Sequence, residues 1–133
     1  MENTICFFEI PVQDGVAARA FYERLFGWRF SEVKAGEGRT YLFIHPSERA
    51  DALSGGLVPR LDPQHQPTIY VEVASVDEML SQAEQAGATV IARKTDLPGL
   101  GSIAAIRDPD GNALGLFQRA DEDGSSPEKG AKE

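Results

Sequence analysis

Gly27 and Gly87 stand sixty positions apart, and each closes a stretch of the same design. Ahead of each lies one β-type run and then one run with helical spacing; behind each lie three further β-type runs. Ile5 to Val12 carries Phe8, Ile10 and Val12 on one parity and Phe7 and Glu9 on the other, the alternation of a strand with one apolar and one mixed face. Asp14 then offers an N-cap oxygen, and Val16, Ala17, Ala20, Phe21 and Leu25 recur at helical spacing, which predicts a helix over 15–26 with that apolar face. Gly27 follows where a chain leaves a helix in the left-handed region. The second half restarts the pattern. Thr68 to Ala74 alternates, Ser75-Val76-Asp77-Glu78 is a capping box, and Val76, Met79, Leu80, Ala83 and Ala86 form the apolar face of a helix that Gly87 ends.

The runs behind each glycine complete two matching units. Trp28 begins a strand, Gly36 and Gly38 make a turn, and 39–45 alternates Tyr41, Phe43 and His45 against Leu42 and Ile44. Residues 53–59, with Gly55 and Gly56, form a short fourth strand, and 61–67, with Pro63 and Pro67, has the composition of a linker. Past the second helix, 88–94 reads as a strand and 97–101 as a loop. Ile103–Ile106 and Ala113–Phe117 flank Asp108-Pro109-Asp110-Gly111-Asn112, a tight hairpin. The fold class is therefore α+β, two βαβββ modules at about 4–60 and 67–119 in a single domain over 1–120. Residues 121–133 are polar and charged and read as a flexible acidic tail without a core.

Composition narrows the partners. With 13 Lys and Arg against 21 Asp and Glu, the net charge of −8 lacks the basic footprint of a nucleic-acid binder, so no nucleic acid is expected. No apolar run is long enough to span a membrane, and no membrane partner is expected. The first residues are acidic and enter a strand at once, unlike a secretory signal, which leads to the expectation of a cytoplasmic protein. The single cysteine, Cys6, lies in an apolar run and reads as a buried thiol.

The paired modules, Phe21-Tyr22 followed by Leu25-Phe26-Gly27-Trp28, the Ser75-Val76-Asp77 helix entry and Asp108-Pro109-Asp110-Gly111 together resemble the vicinal oxygen chelate superfamily. That superfamily includes lactoylglutathione lyases, bleomycin-resistance proteins and extradiol dioxygenases. The resemblance covers residues 5–118 and implies two modules forming a U-shaped cup, commonly as a homodimer. Catalytic members hold a divalent metal by His or Glu on strands of both modules, leaving open positions for two vicinal substrate oxygens. The resemblance sets the first ligand position at Phe7, its counterpart at Thr68, the last at Gly115 and the remaining one near Gly55 or Gly56. None of these carries a metal donor of the usual kind, so no metal and no cofactor are expected.

Strand parity turns Phe7, Glu9, Tyr41, Phe43, His45, Thr68, Tyr70, Glu72, Ala113, Gly115 and Phe117 toward the cup. Aromatic walls with a few polar groups are the usual make-up of a small-molecule site, and Glu9 and Glu72 are candidate general bases. The same residues would equally serve to fill a small barrel. The resemblance thus implies a metal-independent protein binding a small organic molecule in the cup. The alternative is an enzyme, a lyase, isomerase or dioxygenase related to lactoylglutathione lyase, either metal-independent or with a non-standard or relocated metal site using Glu9, His45 or Glu72. A third reading is a structural or regulatory dimer with a filled cup.

Overall fold

A computed structural model describes residues 2–34 and 40–120; the turn expected at Gly36 and Gly38 and the tail expected over 121–133 lie outside the described residues. The elements run β1 (Ile5–Val12), α1 (Gly15–Phe26), β2 (Arg29–Lys34), β3 (Thr40–His45), β4 (Ser54–Pro59), β5 (Thr68–Glu72), α2 (Val76–Gln85), β6 (Thr89–Leu97), β7 (Gly101–Arg107) and β8 (Ala113–Arg119). This is βαβββ twice, the α+β architecture expected. Two compact units result, one over Phe7–Thr68, the other built from Ile69 onward together with the first residues of the chain up to Cys6.

In the first unit the strands lie in the order β2-β3-β4-β1. β1 and β4 run parallel, with Phe8 opposite Gly55 and Glu9 opposite Gly56, while β4–β3 and β3–β2 are antiparallel. Asp14 caps α1 by accepting from the Ala17 N–H at 3.1 Å, and Gly27 ends it at φ 71°, donating to the Glu23 carbonyl at 2.9 Å. The face α1 buries is not the one its spacing suggests. Val16, Phe21 and Leu25 are 83%, 56% and 57% exposed, and the half-buried side is Gly15, Ala18, Arg19 and Tyr22. That second stripe also has helical period, and ring stacking selects it: Tyr22 lies on Trp28 at 5.2 Å and 15°, and the Arg19 guanidinium sits 5.6 Å from the Phe30 ring. Phe8 meets Trp28 at 6.2 Å, and beneath Phe8 lies Gly55, where a Cβ would run into the ring. Ile44 and Leu57 complete this interior.

The second unit repeats the plan with strand order β5-β8-β7-β6, β5–β8 parallel and the other pairs antiparallel. Its core is aliphatic: Val73, Val76 and Leu80 against Ala104, Ile106 and Leu116. Ser75 caps α2 by accepting from the Glu78 N–H at 3.2 Å, and the buried Gln118 carboxamide oxygen accepts from Val76 N–H at 2.8 Å, tying the helix start to β8. Gly87 takes φ 104° past the helix end, while Ala86, expected on the apolar face, is exposed at the cap. β6 runs on through Leu97 where a loop was expected from there. Two register shifts let Thr95, Asp96 and Leu97 rejoin the β7 ladder, and Ser102 Oγ donates to Asp96 at 2.8 Å. The chain's first residues accompany β5: Glu72 N–H donates to the Thr4 carbonyl at 2.8 Å and the Cys6 thiol to the Tyr70 carbonyl at 3.6 Å.

No helix among the described residues is long and apolar enough to cross a membrane.

Candidate functional site

Pleating assigns the two faces of the first unit. Phe8, Ile10, Leu42, Ile44, Gly55 and Leu57 turn to the α1 side, so Phe7, Glu9, Tyr41, Phe43, His45, Ser31, Ser54 and Gly56 share the other. Phe7 meets Phe43 edge-on at 6.1 Å, and Phe43 meets Tyr41 edge-on at 4.8 Å. The Tyr41 hydroxyl donates to Glu9 Oε2 at 3.0 Å, where Glu9 stands opposite Gly56 and Gly56 opposite Phe43. Three rings thus form a chain of edge-on contacts on the face that also carries Glu9, and the last of them, Tyr41, orients the half-buried carboxylate. Four of the residues expected to line the site come together here. His45 lies on the same face but at its exposed end, where its Nε2 meets Ser31 Oγ at 2.8 Å. Ser31 was not singled out in the sequence, since a serine in an exposed strand has no pattern of its own.

In the second unit Tyr70, Glu72, Gly115 and Phe117 share a face, with Tyr70 opposite Gly115 and Glu72 opposite Phe117. Glu72 is held by Arg119, which reaches it with two nitrogens at 3.0 and 3.3 Å while its guanidinium lies 5.8 Å from the Phe117 ring. The hydrogen bond and charge of Glu72 raise the Arg119 pKa, and burial, then the Glu72 charge, push the Cys6 thiol up against a smaller opposing effect of Arg119. A cysteine so placed is kept as a neutral thiol. Arg119 is the polar residue of this face that sequence reading missed; its position two residues beyond Phe117, on the same strand parity, was the available signal. Thr68 Oγ1 donates to the Gln66 carbonyl at 3.2 Å, so its hydroxyl serves the connection ahead of β5. His65 serves that connection too, its Nδ1 accepting from Leu61 N–H at 3.2 Å and its carbonyl from Arg60.

The expected metal stations do not fit a metal. The β1–β4 register places Gly56, not Gly55, on the side of Phe7 and Glu9. A Cβ on Gly56 would collide with the Tyr41 hydroxyl end, and one on Gly115 with the Tyr70 ring. Phe7 has no donor atom. Among the described residues no three His, Cys, Asp or Glu side chains gather in a way that could hold an ion.

Comparison with known proteins bears on the fold and the family. The family model of the Glyoxalase/Bleomycin resistance protein/Dioxygenase superfamily matches residues 4–116. A putative glyoxylase, CFP32, of Mycobacterium bovis is 29% identical over 121 residues, covering 88% of this chain and 46% of that protein. The anthracycline biosynthesis protein DauV of Streptomyces sp. (strain C5) is 27% identical over 128 residues, covering 85% and 46%. The chain spans about half the length of the curated relatives it matches. Among solved structures, methylmalonyl-CoA epimerase from Mycobacterium tuberculosis superposes with a TM-score of 0.67 at 17% identity, covering 90% of this chain and 89% of that one. A hypothetical protein from Bacillus halodurans C-125 gives a TM-score of 0.68 at 12% identity, covering 92% and 98%. At such identities these structures share the fold.

Proposed function

We propose that this chain, which belongs to the Glyoxalase/Bleomycin resistance protein/Dioxygenase superfamily, binds a small organic molecule without the help of a metal ion. The observation that carries this reading is the face that Phe7, Phe43 and Tyr41 share with Glu9, whose carboxylate accepts from the Tyr41 hydroxyl. Ring faces supply apolar area at little cost in side-chain entropy, and one oriented polar group confers selectivity; that combination marks small-molecule sites. The misfit of the ligand stations supports metal independence. One relative is named for anthracycline biosynthesis and another as a putative glyoxylase, and both names concern small organic molecules. The chain acts as a homodimer in this reading, an arrangement supported by the apolar side that α1 leaves exposed.

The test is a ligand screen by protein-observed NMR, run beside metal analysis of the purified protein after incubation with nickel, zinc, manganese and iron(II). Hits should shift resonances of Phe7, Glu9, Tyr41 and Phe43, and Phe43→Ala should weaken them at least about tenfold, the loss of one well-packed ring contact. Hits that leave these residues unmoved, or stoichiometric metal in the native protein, would overturn the reading. Metal found in that way would direct attention to Glu9, His45 and Glu72 and to lyase, isomerase or dioxygenase chemistry.

A further inference from the structure

Both glycines at the expected ligand stations are covered by tyrosines, and the two coverings differ. Tyr41 reaches Gly56 with its far end: a Cβ there would strike Oη and Cζ, and Cε2 at 2.7 Å. The tip of a tyrosine can swing aside by small changes of its torsions. Tyr70 lies across Gly115 with the root of its ring, so that a Cβ on Gly115 would strike Cδ2 and Cε2 and stand 2.7 Å from Cγ. Cγ is one bond from the Tyr70 Cβ, and the ring clears that space only by leaving its χ1 well. Tyr70 is 9% exposed and its residue faces Gly115 directly across the β5–β8 ladder, so a new rotamer must displace neighbouring atoms.

We infer that the Tyr70 ring and any side chain at residue 115 exclude one another, so that this ligand station is closed by Tyr70 and not merely left without a carboxylate. Closure of the station goes beyond the proposed binding of an organic molecule and stands independently of it. A glutamate at residue 115 would have to place its stem in the volume of the ring and its charge against an aromatic face. Acquisition of the carboxylate alone therefore costs stability and recovers no site; Tyr70 has to be cut back first.

A mutant cycle decides the matter. Gly115→Ala, Tyr70→Ala and the double variant are melted beside the wild type, and Gly115→Glu, with and without Tyr70→Ala, is examined with and without nickel. Gly115→Ala and Gly115→Glu are expected to melt below the wild type. Tyr70→Ala is expected to lower the midpoint clearly when residue 115 is glycine, and by less than roughly half as much when it is alanine, because there the ring is already displaced. Gly115→Ala melting with the wild type, an undiminished effect of Tyr70→Ala in the Gly115→Ala background, or stoichiometric nickel uptake by Gly115→Glu with Tyr70 in place would each overturn the inference. The alanine cycle decides it even where Gly115→Glu does not fold. Nickel on the wild type, by contrast, would count against the proposed function and leave the melts to judge the closure of the station.

Discussion

Asp108 holds the β7–β8 hairpin with one side chain. Its Oδ1 accepts from the N–H groups of Asp110 and Asn112 at 2.9 and 2.8 Å, and its Oδ2 from the Asn112 amide at 3.1 Å; Gly111 takes φ 93° to close the turn. Hydrogen bonds from Asn112, backbone first and then side chain, hold its carboxyl below the usual range. A carboxyl lowered on folding stabilises the native state above its unfolded pKa, about 3.9 for aspartate, and loses that contribution as pH falls through the folded value. Asp108→Ala should accordingly melt below the wild type at neutral pH, with the gap narrowing as pH falls below about 4. Asp108→Asn, which keeps an acceptor oxygen, should lie between them. A gap that stays constant on acidification would mean the carboxylate has no such role. The turn was legible in the sequence because all its partners lie within five residues. The closure of Gly115 was not, because Tyr70 belongs to another strand and only the register brings the two together.

At the level of elements, α2 was legible and the inward face of α1 was not. In α2 the capping box and the apolar stripe agree, and Val76 and Leu80 are buried as their spacing demands. In α1 two stripes compete, and the winning one contains an arginine that hydropathy counts as outward; its guanidinium lies over the Phe30 ring while Glu23 pairs with it at 3.0 Å. A stripe count cannot weigh ring stacking on Trp28, which sits in the strand connection beyond the helix. The two helices should therefore respond differently to substitution. Leu80→Ala, at 2% exposure in the aliphatic core, should cost about 2–5 kcal/mol in denaturant unfolding. Val16→Ser, on the outward side of α1, should stay within about 0.5 kcal/mol of the wild type. Equal effects would mean that α1 packs through its Val16 side instead of through Arg19 and Tyr22.

For the whole molecule, the exposed side of α1 and the charge pull in opposite directions. Phe21 and Leu25 leave more than half of their surface in water, one helical turn apart, and burying such groups between two copies is worth roughly 25 cal/mol per Å² before the costs of association. Each chain, however, carries a net charge of −8, so two copies repel one another over a distance set by salt. If the proposed homodimer forms through the apolar side of α1, raising the ionic strength should screen the repulsion and leave the apolar attraction, and the dimer fraction should rise. A dimer held by ion pairs would instead loosen. Phe21→Glu places a charge at the centre of that side, and sedimentation velocity should find it monomeric where the wild type is dimeric, with its thermal midpoint no lower than that of the wild-type monomer. A wild type that remains monomeric at every concentration and salt, or a dimer indifferent to Phe21→Glu, would remove α1 from the interface and return its exposed side to ordinary protein surface.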